Sequence, residues 1–175
     1  MRANASNIVL IGFMGSGKST LAVELSKACG WFALDTDKVI EQSSGMSVKE
    51  HFARFGEQAW RKREGEFVKW ASSHIQHAII ATGGGMPIYH NVKPMGVVVF
   101  LSMSFEAICA RLSEKERESR PLFSNLTQAK ELFTQRQDSY KSQADIILDA
   151  TKPNLAQSLL EQLAQEYNLK QLLAP

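Results

Sequence analysis

The stretch Gly12-Phe13-Met14-Gly15-Ser16-Gly17-Lys18-Ser19 decides the fold of this chain, because it has the pattern G-x-x-x-x-G-K-S. The apolar run Ile8–Ile11 precedes it, and helical apolar spacing follows at Leu21, Leu25 and Ala28. A strand, a glycine loop and a helix in this order form the context that a phosphate-binding loop requires. The alternative is a glycine-rich turn before an ordinary helix. The context favours nucleotide binding, in which backbone N–H groups and the helix N-terminus hold a polyphosphate.

Several residues of this loop are candidates for binding ATP. Lys18 is expected to reach the outer phosphates, and the Ser19 hydroxyl is expected to bind Mg²⁺. The candidate ATP-binding residues of the loop are Gly12, Gly15, Ser16, Gly17, Lys18, Ser19 and Thr20. The loop alone does not identify the group that accepts the phosphoryl, because many nucleotide-binding proteins share it.

The 175-residue chain is expected to form one domain, residues 1–175. Apolar residues make up 44% and charged residues 22%, as in soluble globular proteins. The net charge of +2 argues against a nucleic-acid partner, and no apolar run is long enough for a membrane partner. The N-terminus, Met1–Asn7, lacks a signal-peptide core. Cys29 and Cys109 lack metal spacing, which predicts buried free thiols in a reducing cytoplasm.

Short apolar runs predict the strands of one sheet. These runs are Ile8–Ile11, Phe32–Leu34, Ala78–Ala81, Val97–Leu101 and Ile146–Leu148. Their composition is typical of strands buried on both faces of a parallel sheet. Helical patterns lie between them, so the sequence predicts an α/β fold with a mostly parallel sheet. Functional residues are expected at the carboxyl ends of the strands, where such sheets bind ligands.

Polar residues predict where three of the helices begin. Ser47 and Glu50 have the spacing of a capping box. Thr127 is expected to cap a helix that runs to Tyr140, and Asn154–Gln157 has the form of a second capping box. The helix that follows has an apolar stripe, formed by Leu155, Leu159, Leu160, Leu163 and Tyr167.

Two carboxylates, Asp35 and Asp37, follow the second apolar run. Residues two apart in an extended segment face the same side, so both can point into one site. Beside a phosphate-binding loop, one carboxylate can support Mg²⁺ and the other can take the proton of a nucleophile. The alternative is that one of them only caps the next helix. Position alone favours neither interpretation, and one residue can do both.

A glycine triplet, Gly83–Gly85, follows the third apolar run. It indicates either a tight turn or a close approach of the backbone to a ligand, and the position at a strand end favours a ligand. Arg61, which can pair with Glu64, and Arg136 both lie in helical patterns. Arginine forks suit a carboxylate, but a solvated helix surface explains the local patterns as well.

The segment Ser113–Ser124 is highly charged and lies between two helical patterns. A kinase needs a lid that excludes water from the reaction. An arginine on such a lid, here Arg120, can meet the charge of the transferred phosphoryl group. The alternative is an exposed charged loop.

Taken in order, these residues resemble the bacterial shikimate kinases over almost the whole chain. The family pattern begins G-F-M-G-S-G-K-S-T, as in Gly12–Thr20, and continues with D-x-D, F-R-x-x-E, G-G-G and R-P-L. This chain has Trp60 in place of the Phe. An arginine four residues before a tyrosine, here Arg136, and an adenine loop containing proline, here Asp149–Pro153, complete the pattern. The ordered set is far more specific than the phosphate-binding loop alone.

The resemblance implies how the acceptor, shikimate, is bound. Arg61 and Arg136 would hold its carboxylate, and Glu64 would hold Arg61 in place. Asp37 would contact the ring hydroxyls as the candidate base. Backbone contacts to the substrate would come from Gly83, Gly84 and Gly85.

The resemblance also implies how ATP and Mg²⁺ are bound. Lys18 and Arg120 would be catalytic beside Asp37, because they neutralise charge on the phosphates. Ser19 would bind Mg²⁺ directly, and Asp35 would act on it through water. Arg111, or alternatively Arg117, would pack against the adenine, as would the loop with Pro153.

The implied architecture is a three-layer P-loop kinase fold whose five-stranded parallel sheet has the order 2-3-1-4-5. A mobile lid at about residues 113–124 and an acceptor-binding region at about residues 35–64 would belong to it. The implied protein is a monomer that phosphorylates the 3-hydroxyl of shikimate with ATP, giving shikimate 3-phosphate in the aromatic amino-acid (chorismate) pathway.

Three alternatives remain at this point. A gluconate- or nucleotide-type kinase would lack the combination of Asp37, Arg61, the glycine triplet and Arg136. A nucleotide-dependent switch of the GTPase type would carry an N-K-x-D motif, which does not occur in this sequence. A relative that binds but has lost activity is disfavoured by the full set of site residues.

Overall fold

The computed structural model describes residues 7–113, 123 and 125–167, and within them one five-stranded parallel sheet. The strands are β1 (Ile8–Ile11), β2 (Phe32–Asp35), β3 (Ala78–Ala81), β4 (Val97–Ser102) and β5 (Ile146–Asp149). Their order is β2-β3-β1-β4-β5, and every neighbouring pair is parallel. Both the strand positions and the sheet order predicted above are confirmed.

Helices fill the connections between these strands. They are α1 (Lys18–Cys29), α2 (Thr36–Ser44), α3 (Val48–His74), α4 (Met86–Tyr89), α5 (Phe105–Arg111), α6 (Leu126–Gln143) and α7 (Leu155–Glu166), with a short 3₁₀ helix at Lys93–Met95. A kink at Gly56 divides α3 into two helical segments. The second segment carries Arg61 and Glu64, so the kink sets the direction in which these residues approach the sheet.

The sheet lies between two layers of helices, because successive side chains of a strand point to opposite faces. Ile8 and Leu10 pack in a core with residues of α1 and α7. Val9 and Ile11 pack in a second core with residues of α3, α5 and α6. The predicted three-layer arrangement is therefore confirmed.

The expectation that all strands are buried on both faces is wrong for the two edge strands. In β2 the Phe32 side chain is 82% exposed, and in β5 Ile147 is 56% exposed. The central strands β1, β3 and β4 are buried almost throughout. The helices pack over the middle of the sheet, so an edge strand can be apolar in sequence and still face solvent.

Two of the three predicted helix starts need correction. The Ser47 capping box is present, with the Glu50 amide donating to Ser47 Oγ and the Ser47 amide donating to Glu50 Oε2. Helix α6, however, is capped by Asn125, whose Oδ1 accepts from the Gln128 amide at 3.1 Å, so Thr127 already lies in the first turn. Asn154 has a left-handed backbone (φ 56°) and makes no side-chain cap, because a capping side chain needs an extended backbone.

The buried side chain of Asn7 joins three segments just before β1. Its Nδ2 donates to the carbonyl oxygens of Ile75 and Met95, each at 2.8 Å. Its Oδ1 accepts from the Ala78 amide at 3.1 Å. Asn7 is 0% exposed, so water cannot replace these hydrogen bonds.

We expect Asn7→Ala to lower the free energy of unfolding by about 2–4 kcal/mol, because it leaves buried donors and acceptors without partners. Urea denaturation followed by circular dichroism measures the change. Asn91→Ala is the control, since the exposed Asn91 side chain accepts from the Lys93 amide and water can take its place. Equal effects of the two substitutions would contradict a bracing role for Asn7.

Candidate active site

A cleft of about 890 Å³ lies at the carboxyl ends of the strands, as the fold predicts. The phosphate-binding loop forms one wall, and the residues after β2 and β3 form another. Its lining includes these predicted site residues: Gly15, Gly17, Lys18, Ser19, Thr20, Asp35, Asp37, Gly83, Gly84 and Arg111. Residues from four parts of the sequence therefore meet in one place.

A second cleft, of about 420 Å³, shares Gly17, Thr20 and Arg111 with the first. It runs along the start of α1 to the loop after β5, where Lys152 and Asn154 line it. This loop was predicted to contact adenine. Pro153 lies between the two lining residues and is exposed.

The loop holds Lys18 in a buried position at the start of α1. Lys18 is 8% exposed, and its Nζ donates to the carbonyl oxygens of Gly12 and Phe13 at 2.8 and 3.0 Å. The Oγ of Ser16 is also buried and has no hydrogen-bond partner among the described residues. A buried hydroxyl without a partner is an unfavourable arrangement that a polyphosphate oxygen in this loop would relieve.

Asp35 is both a helix cap and a site residue. Its Oδ1 accepts from the Lys38 amide at 3.3 Å, which caps α2. Its Oδ2 accepts from the Ser19 hydroxyl at 3.0 Å. The cap predicted as the alternative is confirmed, and the role of Asp35 toward Mg²⁺ stays a prediction.

The oxygens of Ser19 and Asp35 fit a Mg²⁺ site. Mg²⁺ prefers oxygen ligands and is usually held by one or two protein groups together with phosphates and water. The described part of the chain contains no group of three or more His, Cys, Asp or Glu residues that could hold a metal. The donor set therefore suits an ion that arrives with a nucleotide.

Asp37 reaches the cleft by a different route from the one expected. Helix α2 begins at Thr36, so Asp37 lies in its first turn and not two residues along an extended segment. The strand alternation used to predict its direction does not apply, although the carboxylate lines the cleft.

The environment of Asp37 raises the pKa of its carboxyl to about 6. Burial is the main cause, followed by the negative charges of Asp35 and Glu64, while Lys18 acts in the opposite direction. A carboxyl with a pKa nearer neutrality is a better proton acceptor than an ordinary aspartate and is still ionised at pH 7.

The glycine triplet gives two charged side chains room against the backbone. A Cβ on Gly83 would overlap the Asp37 carboxylate, and a Cβ on Gly85 would lie 2.5 Å from Arg61 Nη1. The Gly83 amide donates to the buried Thr36 hydroxyl at 2.9 Å. Gly83 and Gly85 are thus needed for the close approach of side chains of the candidate site, whereas a Cβ on Gly84 would meet no atom nearer than 3.4 Å.

Arg61 is held by two carboxylates and an aromatic ring. Glu64, which is 1% exposed, accepts from Nη1 with both oxygens, at 3.0 and 2.8 Å. Glu57 accepts from Nε and Nη2. The Tyr89 ring lies 4.4 Å from the guanidinium carbon. The predicted pairing of Arg61 with Glu64 is confirmed.

Arg136 is a buried cation without a carboxylate partner among the described residues. It is 9% exposed, and its Nη1 donates to the Gly84 carbonyl oxygen at 3.4 Å. The Tyr140 hydroxyl donates to the same oxygen at 2.6 Å. Burial of a charge with only neutral partners is costly, so this position favours an anionic ligand.

Arg111 lies against the phosphate-binding loop, at the end of α5. Its Nη1 donates to the Ser16 carbonyl oxygen at 3.3 Å, and the guanidinium covers Gly17. Arg117 and Arg120 lie outside the described residues, as does the predicted lid apart from Ser113 and Phe123.

Several residues at the site were not identified from the sequence, among them Thr36, Glu57, Tyr89 and Tyr140. Glu57 stands four residues before Arg61, so the helical i,i+4 rule could have found it. Thr36 lies between the two aspartates, but nothing in the sequence distinguishes it from a surface threonine. Tyr89 contacts Arg61 only because the tertiary fold brings the two together. Tyr140 was used in the sequence only to locate Arg136, four residues earlier, and was not itself a predicted site residue.

A family model described as shikimate kinase matches residues 14–167. The chain belongs to the shikimate kinase family. A shikimate kinase from Helicobacter hepaticus is 46% identical over 91% of this chain and 97% of its own length. The family assignment confirms the resemblance and favours a shikimate kinase over the gluconate- or nucleotide-type alternative.

Solved structures of shikimate kinases share the fold. The enzyme from Aquifex aeolicus aligns with a TM-score of 0.72 and 31% identity, covering 93% of this chain and 99% of that one. The enzyme from Acinetobacter baumannii, solved in complex with shikimate, aligns with a TM-score of 0.76 and 26% identity over 94% of each chain. Within the described part of this chain, no helix has the length and apolar character of a membrane span.

The raised pKa of Asp37 predicts a stability effect that depends on pH. An unfolded aspartate has a pKa near 3.8, so the folded chain binds more protons between pH 4 and 6 and loses stability as pH rises through about 6. Asp37→Asn cannot ionise. We therefore expect it to be more stable than the wild type at pH 8, by about 1–3 kcal/mol, and expect this advantage to disappear below pH 4.

Urea denaturation of both proteins from pH 4 to pH 8 measures this difference. Asp138→Asn, an exposed aspartate on α6, is the matched control. A stability difference for Asp37→Asn that is the same at every pH would show that burial does not disfavour the ionised Asp37 carboxylate.

Proposed function

We propose that this protein transfers the γ-phosphoryl group of ATP to the 3-hydroxyl of shikimate, giving shikimate 3-phosphate on the way to chorismate and the aromatic amino acids. The observation that carries the proposal is the buried Arg136, which lies beside the glycine triplet and has only neutral partners in the described part of the chain. A site of this kind suits an acceptor with a carboxylate. Membership of the shikimate kinase family supports the same acceptor.

The acceptor is held by charge at one end and by hydrogen bonds at the other. Arg136 and Arg61 bind its carboxylate, and the preorganised guanidinium fork fixes the orientation of the ring. Glu64 keeps Arg61 on Gly85 through its two hydrogen bonds. Backbone groups of the glycine triplet Gly83, Gly84 and Gly85 add contacts to the ring.

Asp37 receives the proton of the attacking hydroxyl. With a pKa of about 6 its carboxylate is ionised at neutral pH and still basic enough to accept a proton. Gly83 lies directly against this carboxylate, so the acceptor's hydroxyl end is placed between the triplet and the phosphates. The rate arises mainly from this positioning, because phosphoryl transfer needs little covalent help from the protein.

The phosphates of ATP are bound by the loop Gly12–Thr20. Lys18 leaves its two loop carbonyls for the outer phosphates, and Arg120, which lies outside the described residues, is the second cation proposed to neutralise their charge. Ser19 would hold Mg²⁺ directly and Asp35 would act on it through water; the ion would neutralise phosphate charge. Arg111 and the loop with Pro153 hold the adenine in the second cleft.

The proposal also covers the state and location of the enzyme. It acts as a monomer in the cytoplasm. Its two cysteines, Cys29 and Cys109, are partly buried and form no disulfide, which fits a reducing compartment.

The proposed function predicts that ADP release requires shikimate. A coupled assay with ATP and Mg²⁺ is expected to show turnover with shikimate and only background hydrolysis with gluconate, AMP or no acceptor. The product is identified as shikimate 3-phosphate by ³¹P NMR. Turnover with gluconate or AMP, but not with shikimate, would overturn the proposed function.

We expect Arg136→Lys to raise the KM for shikimate roughly tenfold to a hundredfold, because an ammonium cannot reproduce the fork to the carboxylate. The KM for ATP stays within a factor of two (about 0.4 kcal/mol) of the wild type. Arg63→Lys is the control, since Arg63 is exposed and pairs only with the exposed Glu66 among the described residues. An unchanged KM for shikimate would remove Arg136 from the acceptor site.

A further inference from the structure

The carboxylate of Glu57 occupies one edge of the Arg61 guanidinium. A single oxygen, Oε1, accepts from Nε at 3.1 Å and from Nη2 at 2.6 Å. These two N–H groups form the side fork of an arginine, which is the arrangement that binds a carboxylate best. Glu57 therefore uses the same donors that a carboxylate ligand of Arg61 would use.

The other directions of approach to Arg61 are already taken. Both oxygens of Glu64 lie on Nη1. The backbone at Gly85 lies so close to Nη1 and Nη2 that a Cβ there would be 2.5 and 2.8 Å away. The Tyr89 ring stacks on the guanidinium at 4.4 Å. Access to Arg61 is left at the edge that Glu57 holds.

The two carboxylates on Arg61 differ in how easily they can leave. The Glu64 side chain is 1% exposed, so releasing it would strand a buried charge. The Glu57 side chain is 50% exposed and can turn into water. Glu57 is the partner that an incoming anion would replace.

The groups around Glu57 also stabilise its negative charge, as they would stabilise that of a bound carboxylate ligand. The hydrogen bond from Arg61 is the main cause of a lowered pKa of the Glu57 carboxyl, and a hydrogen bond from Tyr89 and the charge of Arg136 act in the same direction. Glu57 therefore lies in the field of both arginines that are proposed to hold the acceptor. No carboxylate of the described residues, Glu57 included, forms an ion pair with Arg136.

We propose that Glu57 is an internal competitor of the acceptor's carboxylate for Arg61, and that it thereby lowers the affinity of the acceptor site for an acid. This inference rests on the proposed function, because it takes the acceptor to carry a carboxylate. Shikimate displaces Glu57 from the Nε and Nη2 donors, and the released Glu57 carboxylate is hydrated. A neutral analogue cannot compete for the fork, so it binds without displacing Glu57.

The size of the effect follows from the exposure of the pair. An exposed ion pair contributes at most about a fivefold change in an equilibrium, and the apparent affinity falls by the fraction of molecules in which the fork is free. Removal of the Glu57 charge is therefore expected to tighten acceptor binding, whereas loss of a residue that positions Arg61 would weaken it. The sign of the change separates the two roles.

The test compares Glu57→Gln with the wild type in steady-state kinetics and in calorimetric titration of shikimate without ATP. The expected result is a KM and a Kd for shikimate that are about two- to fivefold lower, with the kcat and the KM for ATP unchanged. Glu66→Gln is the matched control, because Glu66 lies on the same helix, is 49% exposed and pairs with Arg63. It is expected to change none of these constants.

A second substrate makes the test specific for charge. With the carboxamide analogue of shikimate as the acceptor, Glu57→Gln is expected to give less than half of the gain that it gives with shikimate. A KM for shikimate that is unchanged or raised in Glu57→Gln would overturn the inference, and so would an equal gain with both acceptors. Absence of shikimate turnover in the wild type would instead overturn the proposed function, so the two failures are distinguishable.

Discussion

The parallel pairing of β2 with β3 is the constraint on which the site depends. Asp35 at the end of β2 is level with Ala81 at the end of β3, so the two chains leave the sheet side by side. The hydrogen bond from the Gly83 amide to the buried Thr36 hydroxyl then joins them. Because of this one contact, the start of α2 with Asp37 lies against the glycine triplet, and both lie beside the phosphate-binding loop after β1.

The site holds positively and negatively charged side chains close together, and this arrangement has two consequences. Burial, followed by the charges of Asp35 and Glu64, raises the pKa of Asp37, which suits a proton acceptor, while Lys18 keeps it from rising further. Arg136 is left without an anionic partner among the described residues. Both features are unfavourable for folding by themselves, because burial penalises charge. They are understandable where a substrate brings the complementary charge.

Burial distinguishes the roles of the two glutamates on Arg61. The buried one fixes the guanidinium, whereas the exposed one can be replaced by a ligand. Glu64 is buried and binds Nη1 with both oxygens, so it fixes the guanidinium on Gly85. Glu57 makes contacts of similar length but stands half in water. Distance alone does not distinguish them, whereas the cost of removing each one from Arg61 does.

The sequence by itself determined the sheet, the phosphate-binding loop and many of the residues that line the cleft. Those features depend on neighbours in the chain: apolar runs of strand length, glycines at fixed spacing, and a helix that must follow. Local pattern was less reliable at helix ends. Asn125 caps α6 in place of Thr127, because either residue can accept a backbone N–H and only the packing of the helix selects between them.

Only the tertiary structure decided what each charged residue faces. Asp37 was expected to share the direction of Asp35 along a strand, but it reaches the cleft from a helix. Arg61 and Arg136 were equally compatible with a solvated surface until the fold placed them on Gly85 and Gly84. Burial and electrostatic environment are sums over residues distant in sequence, so no local pattern contains them.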